Sequence, residues 1–231
     1  MMNNKNFKWL LFDFDNTLVD FTNTAKKSLY LTFEENNRVC DEDIYKVYKK
    51  VNHQVWKDFE DGKITAKRLR AKRFEDLFAA IGEKNIDPNA FSVGFLQNLI
   101  LSSEIYEGVI ELLDSLKGNF KMSIVTNGLK EVQRPRLKKF GMMHYFDSII
   151  VSDEIGFKKP QTEFFEYVYQ SIPNPPDKSD ILIIGDNLNS DIRGGRNFGI
   201  KTCWNSFGQE NKTDVEPNYV INNVLELKEL L

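Results

Sequence analysis

The chain has 231 residues, 31 Lys+Arg against 34 Asp+Glu for a formal net charge of −3, and 41% hydrophobic residues. That length supports one good core, or a domain carrying a sizeable insert, and the balanced charge gives no global basic field for a nucleic-acid polymer. No apolar run approaches a membrane span, MMNNKNFKW lacks a charged region followed by a long apolar one, and Cys40 and Cys203 fit no CxxC or zinc spacing, so a cytoplasmic protein with two reduced thiols is expected.

The first apolar run, Trp9–Asp13, is strand-sized and ends at a carboxylate. From about Phe21 to Leu101 the pattern changes to apolar residues at spacings of three and four, in Phe33–Asn36, Asp43–Val51, Gln54–Phe59, Ala66–Ile81 and Pro88–Ile100. Thr65 is placed to cap one of these helices, and Asp87-Pro88 to start another. An all-helical insert explains this stretch better than a separate N-terminal domain, because Trp9–Asp13 is otherwise an orphan strand. The division expected is a core of residues 1–20 and 102–231 around an insert of 21–101.

Beyond the insert, Val109–Lys117 carries Val109, Leu112, Leu113 and Leu116 on one helical face, and Gly118 ends it. Met122–Thr126, Ser148–Ser152, Ile181–Asp186 and Lys201–Trp204 read as buried strands, with helices expected at Glu131–Phe140 and Glu163–Ser171. The Pro-rich Ile172–Lys178 is a connector. Strand and helix in alternation predict an α/β domain with a Rossmann-like parallel sheet.

The chemistry-bearing residues stand at strand ends, where open α/β sheets bind ligands. Asp13 and Asp15 share a face if the strand continues, or sit at different depths if it turns, and Asn16-Thr17 favours a turn. One Asp fits a capping role at a strand–loop junction; two fit it poorly. A second apolar strand ends in Gly185-Asp186, with Asp191 five residues further on. Carboxylates from two strand ends at one edge form the hard oxygen site that Mg²⁺ prefers, and without a cation they repel. Thr126-Asn127-Gly128 offers a hydroxyl and backbone N–H groups to a phosphate, although the tripeptide is also an ordinary turn. Lys158-Lys159-Pro160 places cations before a restricted backbone, against the ordinary reading of a solvated pair.

In order, DFDNT, VTNG, KP and GDNLNSD resemble the four motifs of the haloacid dehalogenase superfamily, and the resemblance spans nearly the whole chain. The helical insert looks like that family's C1-type cap. VNHQVWKDFEDGKIT, IVTNGL, GFKKP and GDNLNSDIRGG are further similar to bacterial pyrimidine 5′-nucleotidases of the house-cleaning type. The resemblance implies that Asp13 is a nucleophile forming an aspartyl phosphate. It implies that Asp15 is the general acid/base and lends its backbone carbonyl to Mg²⁺. Thr126 and the backbone N–H of Asn127 are implied to bind phosphate, and Lys159 to neutralise the nucleophile and the transferring phosphoryl group. Asp186 is implied to be a direct metal ligand, and Asp191 a second acidic residue acting directly or through water and Lys159.

The function expected is Mg²⁺-dependent hydrolysis of a small phosphorylated metabolite, a nucleoside 5′-monophosphate first, by a monomer or homodimer. A sugar-phosphate phosphatase or mutase is the nearer alternative, and a non-catalytic binding module on the same fold the further one. Dehalogenases of this fold lack the second aspartate, because halide leaves without a proton, so Asp15 favours phosphate chemistry. Phe21, Asn52 and Trp56 are candidate substrate contacts in the insert, against the commoner reading of such aromatics as packing residues. His53 and His144 have no metal-spaced partner, and Lys67–Arg73 reads as a solvated helix face.

Overall fold

A computed structural model describes residues 7–231; the first six residues read above for a leader segment lie outside the described residues. The chain divides into two compact units, one of residues up to Asp20 with Ile105–Leu231, the other Phe21–Glu104. In the first unit β1 (Trp9–Phe12), β2 (Lys121–Thr126), β3 (Ser148–Val151), β4 (Ile181–Gly185), β5 (Lys201–Asn205) and β6 (Tyr219–Ile221) form a parallel sheet. Its order is β3-β2-β1-β4-β5-β6, so β1 is central, and the strand order reverses around it. The Rossmann-like α/β class expected from the alternation holds. The edge strand β6 was not foreseen, since Tyr219–Ile221 is only 3 residues long and half exposed.

Both faces of the sheet are covered, which is why its strands read as apolar runs without alternation. Leu10, Phe12, Ile124, Leu182, Ile184 and Cys203 point into one core. There they meet Val109, Leu112 and Leu113 of a helix at Val109–Leu116 and Leu137 of another at Lys130–Lys139. Trp9, Leu11, Ile181 and Ile183 point into the opposite core, with Phe164, Phe165 and Val168 of a helix at Thr162–Gln170. Cys40 and Cys203 are both buried and unpaired with each other.

The second unit is helical: α1 (Phe21–Glu35), α2 (Glu42–Glu60), α3 (Ala66–Ile81) and α4 (Pro88–Leu101). Counting on in chain order, α5 is Val109–Leu116, α6 Lys130–Lys139, α7 the single turn Ser152–Ile155, α8 Thr162–Gln170 and α9 Arg193–Phe198. The stretches read separately as Asp43–Val51 and Gln54–Phe59 are one continuous α2, capped by Asp41, whose carboxylate accepts from the N–H groups of Asp43 and Ile44. Thr65 and Asp87 cap α3 and α4. Phe33, Phe74, Phe78 and Phe91 pack edge-on or tilted at centroid distances of 4.9 to 6.4 Å. Arg73 departs from the solvated face expected for Lys67–Arg73: it is buried, with its guanidinium over Phe74 and Phe95. Among the described residues no helix is long and apolar enough to cross a membrane.

Candidate active site

Register brings the strand ends together. Phe12 lies opposite Ile124 of β2 and Ile184 of β4, so Asp13, Thr126 and Asp186 emerge at one sheet edge. The Asp13 N–H extends the ladder by donating to the Ile184 carbonyl at 2.9 Å. The chain then turns back: Leu18 and Val19 N–H groups both converge on the Phe14 carbonyl, and Asn16 takes a left-handed φ of 56°. The turn buries Phe14 and sets the two carboxylates at different depths. Asp13 is 6% exposed, whereas the Asp15 side chain is 24% exposed. Of the two geometries open in the sequence, the strand that turns is the one formed.

Asp13 is held at both oxygens. Thr17 Oγ1 donates to Oδ2 at 3.1 Å, and Lys159 Nζ donates to Oδ1 at 2.7 Å. The same ammonium reaches the Val125 carbonyl at 2.7 Å and Asp191 Oδ1 at 2.6 Å, and the residue is 1% exposed. Asn127 fixes the lysine's backbone reciprocally: its Nδ2 donates to the Lys159 carbonyl and its Oδ1 accepts from the Lys159 N–H, both at 2.8 Å. The side chain of Asn127 therefore braces the lysine backbone. The Lys159–Pro160 peptide is cis.

Asp186 leaves the end of β4, with its carbonyl accepting from the Trp204 indole at 2.8 Å. Asp191 lies on a π-helical turn, Leu188–Ile192, that leads into α9, and the Asn187 N–H donates to its Oδ2 at 3.1 Å. The carboxylate returns so closely to β4 that a Cβ on Gly185 would lie 2.3 Å from Asp191 Oδ2. Glycine is required there for room.

Carboxylate oxygens of Asp13, Asp186 and Asp191 all lie within 4.8 Å of one another. Burial pushes Asp13 up to about 7; Lys159 opposes the shift, and Asp191 adds to it. Asp186 is raised well above the carboxylate range, first by desolvation and then by Asp13 and Asp191. Burial also works against the Lys159 charge, but the facing carboxylates outweigh it and its pKa rises. Three hard oxygen donors this close together, with Asp13 and Asp186 both raised, fit a small divalent cation, and Mg²⁺ suits their chemistry. The Asp15 carboxylate is not in this group; its expected metal role concerned the backbone carbonyl only.

Asp15 instead faces α6. Arg136 Nη1 donates to its Oδ1 at 2.7 Å, and Gln133 Nε2 to its Oδ2 at 2.8 Å. Neither residue was foreseen, nor was Thr17. In KEVQRPRLKK a Gln and an Arg among so many polar residues read as solvated, and their i, i+3 spacing is the one sequence signal of a shared face. Phe21, Asn52 and Trp56 belong to the helical unit. Asn52 and Trp56 are one turn apart on α2, Trp56 packs edge-on against Phe59 at 5.8 Å, and Asn52 Oδ1 is buried without a hydrogen-bond partner.

The sequence matches the family model of haloacid dehalogenase-like hydrolases over residues 10–205. Pyrimidine 5′-nucleotidase YjjG of Escherichia coli K12 is 32% identical over 96% of this chain and 97% of its own. Pyrimidine 5′-nucleotidase PynA of Streptococcus pneumoniae R6 is 34% identical over 97% and 95%. The solved structure of the HAD-hydrolase YfnB of Bacillus subtilis, bound to magnesium and described as revealing interdomain movement, superposes with a TM-score of 0.92 at 34% identity, covering 98% of this chain and 99% of that one.

Proposed function

The chain belongs to the haloacid dehalogenase-like hydrolases, and from that premise we propose that it is a Mg²⁺-dependent phosphomonoester hydrolase acting on pyrimidine nucleoside 5′-monophosphates in the cytoplasm. The observation that carries the reading is the buried Asp13, held by Thr17 and Lys159 beside Asp186 and Asp191, with Asp15 two residues further along the turn. The substrate class rests on the two nucleotidases that match along nearly their full lengths.

In this reading the free lone pair of an Asp13 carboxylate oxygen attacks phosphorus. The P–O bond to the nucleoside breaks, and the departing oxygen takes a proton from the Asp15 carboxyl. Water then attacks the aspartyl phosphate, gives its proton to Asp15, and releases phosphate with Asp13 restored. Thr126 donates its hydroxyl to a phosphoryl oxygen, and Lys159 neutralises charge on both the nucleophile and the phosphoryl group. Asp13, Asp186 and Asp191 would hold Mg²⁺, with the Asp15 carbonyl beside them. Bound there, the ion supplies positive charge against a dianionic phosphate.

The test is phosphate release with Mg²⁺ from pyrimidine and purine nucleotides, sugar phosphates and simple phosphomonoesters. The highest kcat/KM is expected on pyrimidine 5′-monophosphates, and Asp13→Asn should reduce turnover to background with the fold intact. Fastest turnover of a sugar phosphate would replace the substrate class. Metal-dependent release from no ester, or near-native activity in Asp13→Asn, would overturn the mechanism.

A further inference from the structure

We infer that Gln133 and Arg136, on one face of α6, are positioning residues that fix two reacting groups at once, the Asp15 carboxyl and the Thr126 hydroxyl. The inference rests on the aspartyl-phosphate reading above. Its basis is a chain of donors whose directions leave no choice.

A guanidinium donates and cannot accept. Arg136 Nη1 lies 2.8 Å from Gln133 Oε1 and 2.7 Å from Asp15 Oδ1. A donor-only neighbour requires the amide of Gln133 to present its carbonyl to Arg136, which turns its NH₂ the other way. That NH₂ has two hydrogens. One goes to Asp15 Oδ2 and the other to Thr126 Oγ1, each at 2.8 Å. Asp15 is thus held at both oxygens by two different side chains, which sets the plane of the carboxyl. Each oxygen keeps a second lone pair on which the transferred proton can travel. Thr126 Oγ1 also accepts from the Gly128 N–H at 3.1 Å. With both of these bonds accepted, its hydroxyl hydrogen is left to donate to a phosphoryl oxygen. Arg136 orients Gln133, and Gln133 orients the proton donor together with the phosphate donor.

Two further features show a place built for this amide. A Cβ on Gly128 would lie 2.1 Å from Gln133 Nε2 and 2.4 Å from its Cδ, so the glycine of the Thr-Asn-Gly motif is there to admit the glutamine. Gly128 does not adopt a left-handed φ, so backbone freedom is not the reason. Among the described residues Arg136 is the largest side chain that is fully buried, and its guanidinium lies over the Phe14 ring at 4.9 Å. Burying a cation and an amide on an otherwise polar helix is costly unless they are hydrogen-bonded, and here the bonds of Arg136 Nη1 and Gln133 Nε2 end on Asp15, on the Gln133 carbonyl and on Thr126.

The test is a leaving-group series, which needs no nucleotide. kcat/KM is measured on aryl phosphates from 2,4-dinitrophenyl to phenyl phosphate, since only the poorer leaving groups need a proton as the P–O bond breaks. Gln133→Glu keeps volume and the pairing with Arg136 but removes both donated hydrogens. It is expected to lose roughly 10²-fold on phenyl phosphate and far less on the dinitrophenyl ester, in line with the size of general-acid catalysis. Gly128→Ala, which displaces the amide without altering it, and Arg136→Met should steepen the series in the same direction, with partial rescue in Arg136→Lys. Asp15→Asn marks the slope of an enzyme without its acid, and thermal unfolding of every variant reports the fold. If the Gln133 and Gly128 variants lose activity equally across the series while Asp15→Asn steepens it, the positioning role is overturned and the parent mechanism stands. If Asp15→Asn itself leaves the slope unchanged, the parent mechanism fails, and this inference with it.

Discussion

Asp13 has its carboxylate in a place where folding alone does not favour a charge. Lys159 favours its ionised form, while burial and Asp191 push the other way. Small neighbours make that crowding possible. Gly185 admits Asp191 as Gly128 admits Gln133. Gly185→Ala is therefore expected to displace the Asp191 carboxylate from Lys159 and weaken Mg²⁺ affinity by about 10–100-fold, the size of other losses behind a ligand shell. Isothermal titration of Mg²⁺ into the two proteins checks it; equal affinity would show that Asp191 tolerates the shift. Most of these residues were legible from the sequence, because Asp13, Thr126, Lys159 and Asp186 each follow or abut an apolar strand or a restricted backbone. Thr17, Gln133 and Arg136 were not. Their roles depend on hydrogen bonds across 4, 118 and 121 positions of chain, and a Gln or Arg in a polar helix carries no mark of burial.

Among the elements, the sheet strands and the helices reflect different forces. β1 is central and covered on both faces, so its 4 residues are all buried. The helices of Phe21–Glu104 are held by an aromatic core in which Phe74 is 0% exposed and meets Phe91 at 4.9 Å and Phe95 at 5.1 Å. Phe74→Ala should cost about 3–5 kcal/mol, as for other large aromatic truncations, read as a lower denaturation midpoint. Val39→Ala, at a side chain 84% exposed, should stay within about 0.5 kcal/mol. A small effect at Phe74 would mean that the unit repacks around the gap. α2 shows why its two apolar stretches were read apart. Asn52, His53 and Gln54 interrupt the apolar pattern, but Val55 and Phe59 stay buried on the face that carries Tyr45 and Tyr48, so one helix runs through.

For the whole molecule, the site couples folding to pH and, in the proposed function, to metal. Asp13 is raised from 3.8 to about 7, so across that window the folded protein holds a proton that the unfolded chain releases. Stability of the metal-free protein therefore falls as pH rises through the window. In the proposed function Mg²⁺ would bind the ionised carboxylates, so its stabilisation should grow over the same interval, towards about 2.7 kcal/mol at a hundredfold excess over the dissociation constant. Melting temperatures with and without Mg²⁺ should diverge as the pH rises towards about 7. A metal-induced gain that is flat in pH, or unchanged in Asp186→Asn, would contradict the three-carboxylate site.

The sequence by itself determined the class of fold and the chemical parts. Local signals carry both: buried parallel strands are written as apolar runs, and the residues that end them sit in contiguous motifs. Only the tertiary structure decided how those parts are held. It set Asp13 and Asp15 at different depths, tied Asn127 to the lysine backbone, and turned a glutamine and an arginine of a polar helix onto Asp15. These contacts join strands and helices far apart in the chain, and burial and hydrogen-bond direction exist only once the sheet has brought them to one edge.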